Sequence, residues 1–181
     1  SQPDHARTLK YLGHSLFQAK LYKEAAAALA RCLDLEPEDK EAQFALARSY
    51  YSLSSTEPAL AIFSRLRTDP QFGPQASLFA GTIRMNTKQN AQALEDFTIG
   101  LRHEKLSPPV AQELKYRKAA VHVREGDIAA ALGLWKEIAS AEAGYRDVQD
   151  LIARYQEVHS SRHLQNFLLA SSADFLSLCR K

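Results

Sequence analysis

The chain has 181 residues, with 23 Lys and Arg against 21 Asp and Glu, and its formal net charge of +2 offers no electrostatic argument for a nucleic-acid partner. Apolar residues make up 45% and charged residues 24%, the ordinary range for a chain that buries a core. No run approaches the roughly 18 apolar residues of a membrane helix, and no signal peptide is visible, so direct membrane insertion is not expected. With seven Gly and seven Pro but abundant Ala and Leu, the composition favours helix over strand.

In chain order, the apolar periodicity and turn signals predict helical pairs over residues 6–34, 40–67, 74–103 and 109–140. The turn Pro37-Glu38-Asp39 closes the first pair, and Asp69-Pro70-Gln71-Phe72-Gly73-Pro74 separates the second from the third. Thr56-Glu57-Pro58 and Ser107-Pro108-Pro109 read as helix starts, with Thr56 and Ser107 as caps. Beyond 144, Tyr145, Val148, Ile152, Tyr155 and Val158 form one apolar stripe at helical spacing, and Leu164, Phe167, Leu168, Phe175 and Leu178 form another. Ser171-x-x-Asp174 marks a restart between them. The first stripe is expected to cap the array. The second either packs back on the array or, being very apolar for a free end, leads into a further domain, and the chain reads as one piece of a longer polypeptide.

The pairs are copies of one unit. Ala25, Ala59 and Ala93 recur at a spacing of 34 residues; each has a large apolar residue four positions later (Leu29, Phe63, Phe97) and a small one twelve earlier (Gly13, Ala47, Gly81). After four extra residues near Ser107-Pro108-Pro109, Ala119, Ala131 and Trp135 continue the columns. Small residues belong where two antiparallel helices cross closely, and large ones between successive hairpins. One hairpin cannot bury its apolar face alone, so the units stack. The division is then a repeat array over 1–144, in units of about 6–39, 40–73, 74–107 and 109–144, followed by capping and connecting helices over 145–181.

Leu12-Gly13-x-x-Leu16, Tyr22-x-x-Ala25-x-x-x-Leu29-x-x-Cys32-x-x-x-x-Pro37, Leu46-Ala47-x-x-Tyr50, and Ala59-x-x-x-Phe63 with Asp69-Pro70 resemble the tetratricopeptide repeat. Ala80-Gly81 with Ala93-x-x-x-Phe97, and Gly126-Asp127-Ile128-x-x-Ala131-x-x-x-Trp135, carry the resemblance to about residue 145. Arg84, Gly100 and His122 depart from the family's Tyr and Ala columns. The resemblance implies an all-α, right-handed solenoid of about four helical hairpins. It also implies a groove lined by the first helix of each hairpin: Arg7, Lys10, His14 and Phe17 from the first, then Phe44, Arg48 and Tyr51, then Leu78, Met85 and Asn86, then Tyr116 and Arg124. Aromatic rings with Arg are what binding hot spots use. A chaperone-tail clamp is not expected, because His14 stands where that clamp needs Asn. The tail from Tyr145-Arg146-Asp147-Val148 to Cys179-Arg180-Lys181 is similar to spirochete flagellar-motor collar proteins, which would imply a periplasmic structural role; a cytoplasmic one is the default.

Catalytic chemistry is not indicated. The glycines form no phosphate-cradling loop, and no nucleophile elbow or zinc-protease motif is present. Cys32 and Cys179 lack metal-ligand spacing, His159-x-x-x-His163 reads as a solvated pair, and His122 as a core-edge side chain. No metal, cofactor or nucleic acid is expected. The expected function is a non-enzymatic scaffold or adaptor within a larger assembly, binding a partner's peptide segment that carries acidic and apolar side chains. The alternative is a regulatory or targeting segment of an enzyme whose catalytic domain lies elsewhere.

Overall fold

Helix follows helix along the chain because each turn carries its own stop and restart. The structure is a computed structural model that describes the backbone of residues 2–160 and the side chains of residues 4–157. Among the described residues there are nine helices and no strand: α1 Gln2–Gln18, α2 Tyr22–Leu35, α3 Lys40–Ser52, α4 Thr56–Leu66, α5 Gly73–Asn86, α6 Asn90–Leu101, α7 Pro108–Arg124, α8 Ile128–Ala141 and α9 Val148–Ser160. The all-α hairpin solenoid expected from the sequence is what forms. The second apolar stripe, the Ser171 restart, Cys179 and the His159–His163 pair lie outside the described side chains.

The first helix of every hairpin ends in the same way. The N–H groups of Leu21, Ser55, Gln89 and Asp127 bond back to the carbonyls of Leu16, Tyr50, Arg84 and His122 at 2.8 to 2.9 Å. The residue before each donor, Lys20, Ser54, Lys88 and Gly126, takes a positive φ of 59° to 79°. This is the left-handed closure that satisfies the last carbonyls of a helix. Asp39 caps α3 through Ala42 N at 3.0 Å, and Asp127 caps α8 through Ala130 N at 3.1 Å. Two expected caps differ. Ser55, not Thr56, occupies the cap position of α4, and neither Ser55 nor Ser107 makes a side-chain capping bond. With Pro108 opening α7, the helix start comes from a φ already fixed near helical values and from a missing donor that needs no partner. The extra residues before the fourth unit mostly lengthen α7, to 17 residues against 14 for α5, rather than the loop.

Within each hairpin the small column meets the large one. A Cβ added to Gly13 would lie 2.5 Å from Leu29 Cγ, and one added to Gly81 would lie 2.4 Å from the Phe97 ring. The large residue therefore lies over the small residue of its own hairpin as well as facing the next. Leu29, Phe63, Phe97 and Trp135 are all fully buried, as are Ala25, Ala59, Ala93 and Ala131. Two apolar clusters result, one from Ala6 to Ile83 and one from Met85 to Tyr155, dividing within α5. At that division Asp96 is fully buried, with Arg67 Nη1 at 2.7 Å and Arg84 Nη1 at 2.5 Å. Arg84 thus occupies the family's Tyr column by bringing a charge that α6 neutralises. Helix α9 closes the far end by burying Val148, Leu151 and Tyr155, with Tyr155 against Trp135 at 5.3 Å between ring centroids.

Candidate peptide-binding groove

Besides contacts between chain neighbours, α1 meets α3 and α5 meets α7, with no comparable contact among α2, α4, α6 and α8. The first helices of the hairpins therefore adjoin along one side of the stack, α1 with α3 and α5 with α7, and Tyr51 of α3 reaches Phe79 of α5. On that side Lys10 Nζ lies 2.9 Å from Asp39 Oδ2 and 2.9 Å from Glu41 Oε2, which raises its pKa above the usual value. Burial alone would push the Asp39 carboxyl up. The Ala42 N–H and Lys10 outweigh burial and hold it below the ordinary carboxylate value. His14 Nε2 lies 3.6 Å from Glu41 Oε1. Arg7 is exposed and leans over Tyr11, its guanidinium carbon 5.7 Å from the ring centroid.

The centre of this face is aromatic. The Arg48 guanidinium carbon lies 4.5 Å above the Phe17 ring centroid, linking α3 to α1. Among the described residues Arg48 is exposed and has no carboxylate partner. Tyr51 is half-buried and packs edge-on against Phe79 at 5.2 Å. Phe17, Arg48 and Tyr51 thus form one patch, with the Lys10–Glu41–His14 cluster beside it.

Other expected groove residues are placed differently. Phe44 is only 6% exposed, stacked on Phe72 at 5.3 Å and edge-on to Phe63 and Phe79, so it belongs to the core. Met85 is 1% exposed, and its carbonyl accepts a hydrogen bond from Arg124 Nη1. Tyr116 is 3% exposed and donates to Asp147 Oδ1 at 2.8 Å, with Arg146 over its ring at 4.7 Å. Packing between adjacent units takes these inward-pointing side chains out of reach. Leu78 is half-buried and Asn86 exposed, both on α5. The acids Asp39, Glu41 and Glu113 hold much of this face together, Glu113 through Arg117 at 2.6 Å and Arg146 at 2.6 Å. The local sequence carries no sign of these pairings except the cap position of Asp39 and the i,i+4 spacing of Glu113 and Arg117.

Among the described residues no three His, Cys, Asp or Glu side chains are close enough together to hold a metal ion, and no helix is long and apolar enough to cross a membrane. Cys32 is buried and unbridged.

Comparison with known proteins gives the same fold. The family profile for the tetratricopeptide repeat matches residues 16–80. No curated protein sequence matches. The chain is similar in structure to MamA, with a TM-score of 0.76 at 13% identity, covering 97% of this chain and 90% of that one. It is similar to YrrB, described as a TPR protein with an unusual peptide-binding site, with a TM-score of 0.70 at 16% identity over 92% of this chain and 84% of that one. PilF of Pseudomonas aeruginosa gives a TM-score of 0.70 at 16% identity over 94% of this chain and 78% of that one. At these identities the likeness speaks for the fold. Residues 16–80 match the tetratricopeptide repeat, and the chain has the fold of a tetratricopeptide-type helical solenoid.

Proposed function

We propose that this chain is a non-catalytic protein-interaction scaffold that holds a peptide segment of a partner on the face shared by α1, α3 and α5. The observation that carries the reading is the Arg48–Phe17–Tyr51 patch. It combines an exposed guanidinium without a carboxylate partner with two part-exposed rings on rigid helices. Aromatic rings offer a large contact area with few rotors to freeze, and Arg binds a carboxylate in a two-pronged geometry that Lys cannot reproduce. The Phe17 ring already orients the guanidinium, which lowers the ordering cost of binding. Lys10 is neutralised by Asp39 and Glu41, so the acidic preference falls on Arg48 more than on Lys10. The peptide-binding description of YrrB, which shares the fold, supports the same mode of use.

The reading is tested by selecting binders from a random peptide library displayed against the purified chain. An enriched motif with one acidic and at least one bulky apolar residue, competing as a free peptide, is the expected outcome. Enrichment of basic or featureless sequences would count against it. The resemblance to flagellar-motor collar proteins falls largely on residues outside the described region and lends this reading no support. A regulatory segment of an enzyme would use the same face, and the selection addresses both.

A further inference from the structure

The interface between the third and fourth hairpins is built like the one before it, but one charge is missing. Before the third hairpin, Arg67 closes α4, Arg84 lies on α5, and the buried Asp96 of α6 binds both. At the next interface Arg102 closes α6 as Arg67 closes α4, and His122 stands in the column of Arg84. One turn before it, Lys118 occupies the column that the earlier units fill with Leu12, Leu46 and Ala80. The position matching Asp96 is Leu134, as Ala131 matches Ala93. The cations at this interface therefore lack the buried acid that joins Arg67 and Arg84 one interface earlier.

The space is open. A cleft of about 520 Å³ between α6 and α7 is lined by Leu94, Glu95, Ile99, Arg102, Lys118 and His122, among others. Nearby acids are engaged elsewhere: Glu95 lies 3.8 Å from Arg67, Glu137 pairs with Lys115 at 2.7 Å, and Asp127 faces His122 at 3.4 Å. Neither Lys118 nor Arg102 has an ion-pair partner among the described residues. Burial, and next the charge of Arg102, hold the Lys118 amine below its usual pKa, and the more distant pull of Glu137 does not offset them. The cleft adjoins one of about 260 Å³ that shares Ile99 and Arg102 and reaches Thr68 and His103.

We propose that this cleft is a second binding site, taking a carboxylate of an extended acidic and apolar peptide segment between Lys118 and Arg102. The carboxylate fills the role that Asp96 plays one interface earlier, and an adjoining apolar side chain lies on Leu94 and Ile99. Leu94 and Ile99 beside Lys118 and Arg102 give the cleft an apolar as well as a basic lining, which fits a peptide rather than a small free anion. On α7, Lys118 and His122 point away from Tyr116 and Arg124 by helical phase, so the site is separate from the groove on the first helices.

The probe is an acetylated, amidated hexapeptide alternating Asp and Leu, titrated into the full chain while the Lys118 side-chain resonance is followed by NMR. Binding should raise the Lys118 pKa. Arg102→Gln, followed at Lys118, and Lys118→Gln, followed at the His122 ring, should each weaken binding in the cleft about tenfold or more, while the exposed Lys136→Gln leaves it unchanged. A neutral peptide alternating Asn and Leu should not bind. The proposal is overturned if the acidic peptide leaves Lys118 unperturbed, or if the cleft variants bind it as wild type does. Inorganic phosphate shifting Lys118 at concentrations as low as the peptide requires would make this a simple anion site and equally refute it.

Discussion

At the residue scale, the charges inside the stack are the most sensitive points. Asp39 both caps α3 and receives Lys10 from α1, so it stabilises a helix start and the junction of two units together. Asp39→Ala should cost about 1–2 kcal/mol, measured by urea unfolding at pH 7. Its folded pKa is depressed, so its contribution is present above the unfolded value near 4 and is lost as pH falls through the folded one. The gap between wild type and variant should therefore narrow below about pH 4; a gap that widens there would contradict this assignment. Asp96 is the opposite case, a charge with no access to water. Arg84→Ala leaves it with Arg67 alone and should cost about 3 kcal/mol. Arg84→Ala combined with Asp96→Ala should recover a large part of that loss in the same assay, because no fully buried charge then remains and the partly exposed Arg67 keeps Glu95 at 3.8 Å.

At the scale of elements, the column of small against large residues was legible in sequence because it is local chemistry repeated at a fixed period. The column of left-handed turn residues was not. Lys20, Ser54, Lys88 and Gly126 share one conformation, yet only Gly126 announces it. Side-chain identity at the other three is free to vary because the backbone bonds around them impose the turn. Lys88→Gly should accordingly raise stability by up to about 1 kcal/mol, and Gly126→Ala should lower it by about 1 kcal/mol. Equal melting temperatures for all three proteins would show that these turns relax. Gly81→Ala drives a methyl into the Phe97 ring and should cost about 1–3 kcal/mol. A wild-type melting temperature for that variant would mean that α5 and α6 cross less closely than described.

At the scale of the whole molecule, the family's inward columns identify which helices line the groove but not which side chains are left open there. Phe44 and Tyr51 share one helix and one expected face. Phe72, Phe63 and Phe79 enclose Phe44, while Tyr51 retains an accessible edge. That distinction depends on the neighbouring hairpin, some thirty residues away, and no local pattern encodes it. Lys10, also expected in the groove, is likewise engaged by Asp39 and Glu41, which its local sequence does not indicate. What survives packing is a smaller patch centred on Arg48. The most direct test is the affinity and association rate of a library-selected peptide for wild type and for Arg48→Glu, measured at two salt concentrations by surface plasmon resonance. The variant should show slower association, weaker salt dependence and affinity lower by about tenfold or more, with unchanged helical content. Identical kinetics for the two proteins would show that the α1–α3–α5 face is not where the partner binds.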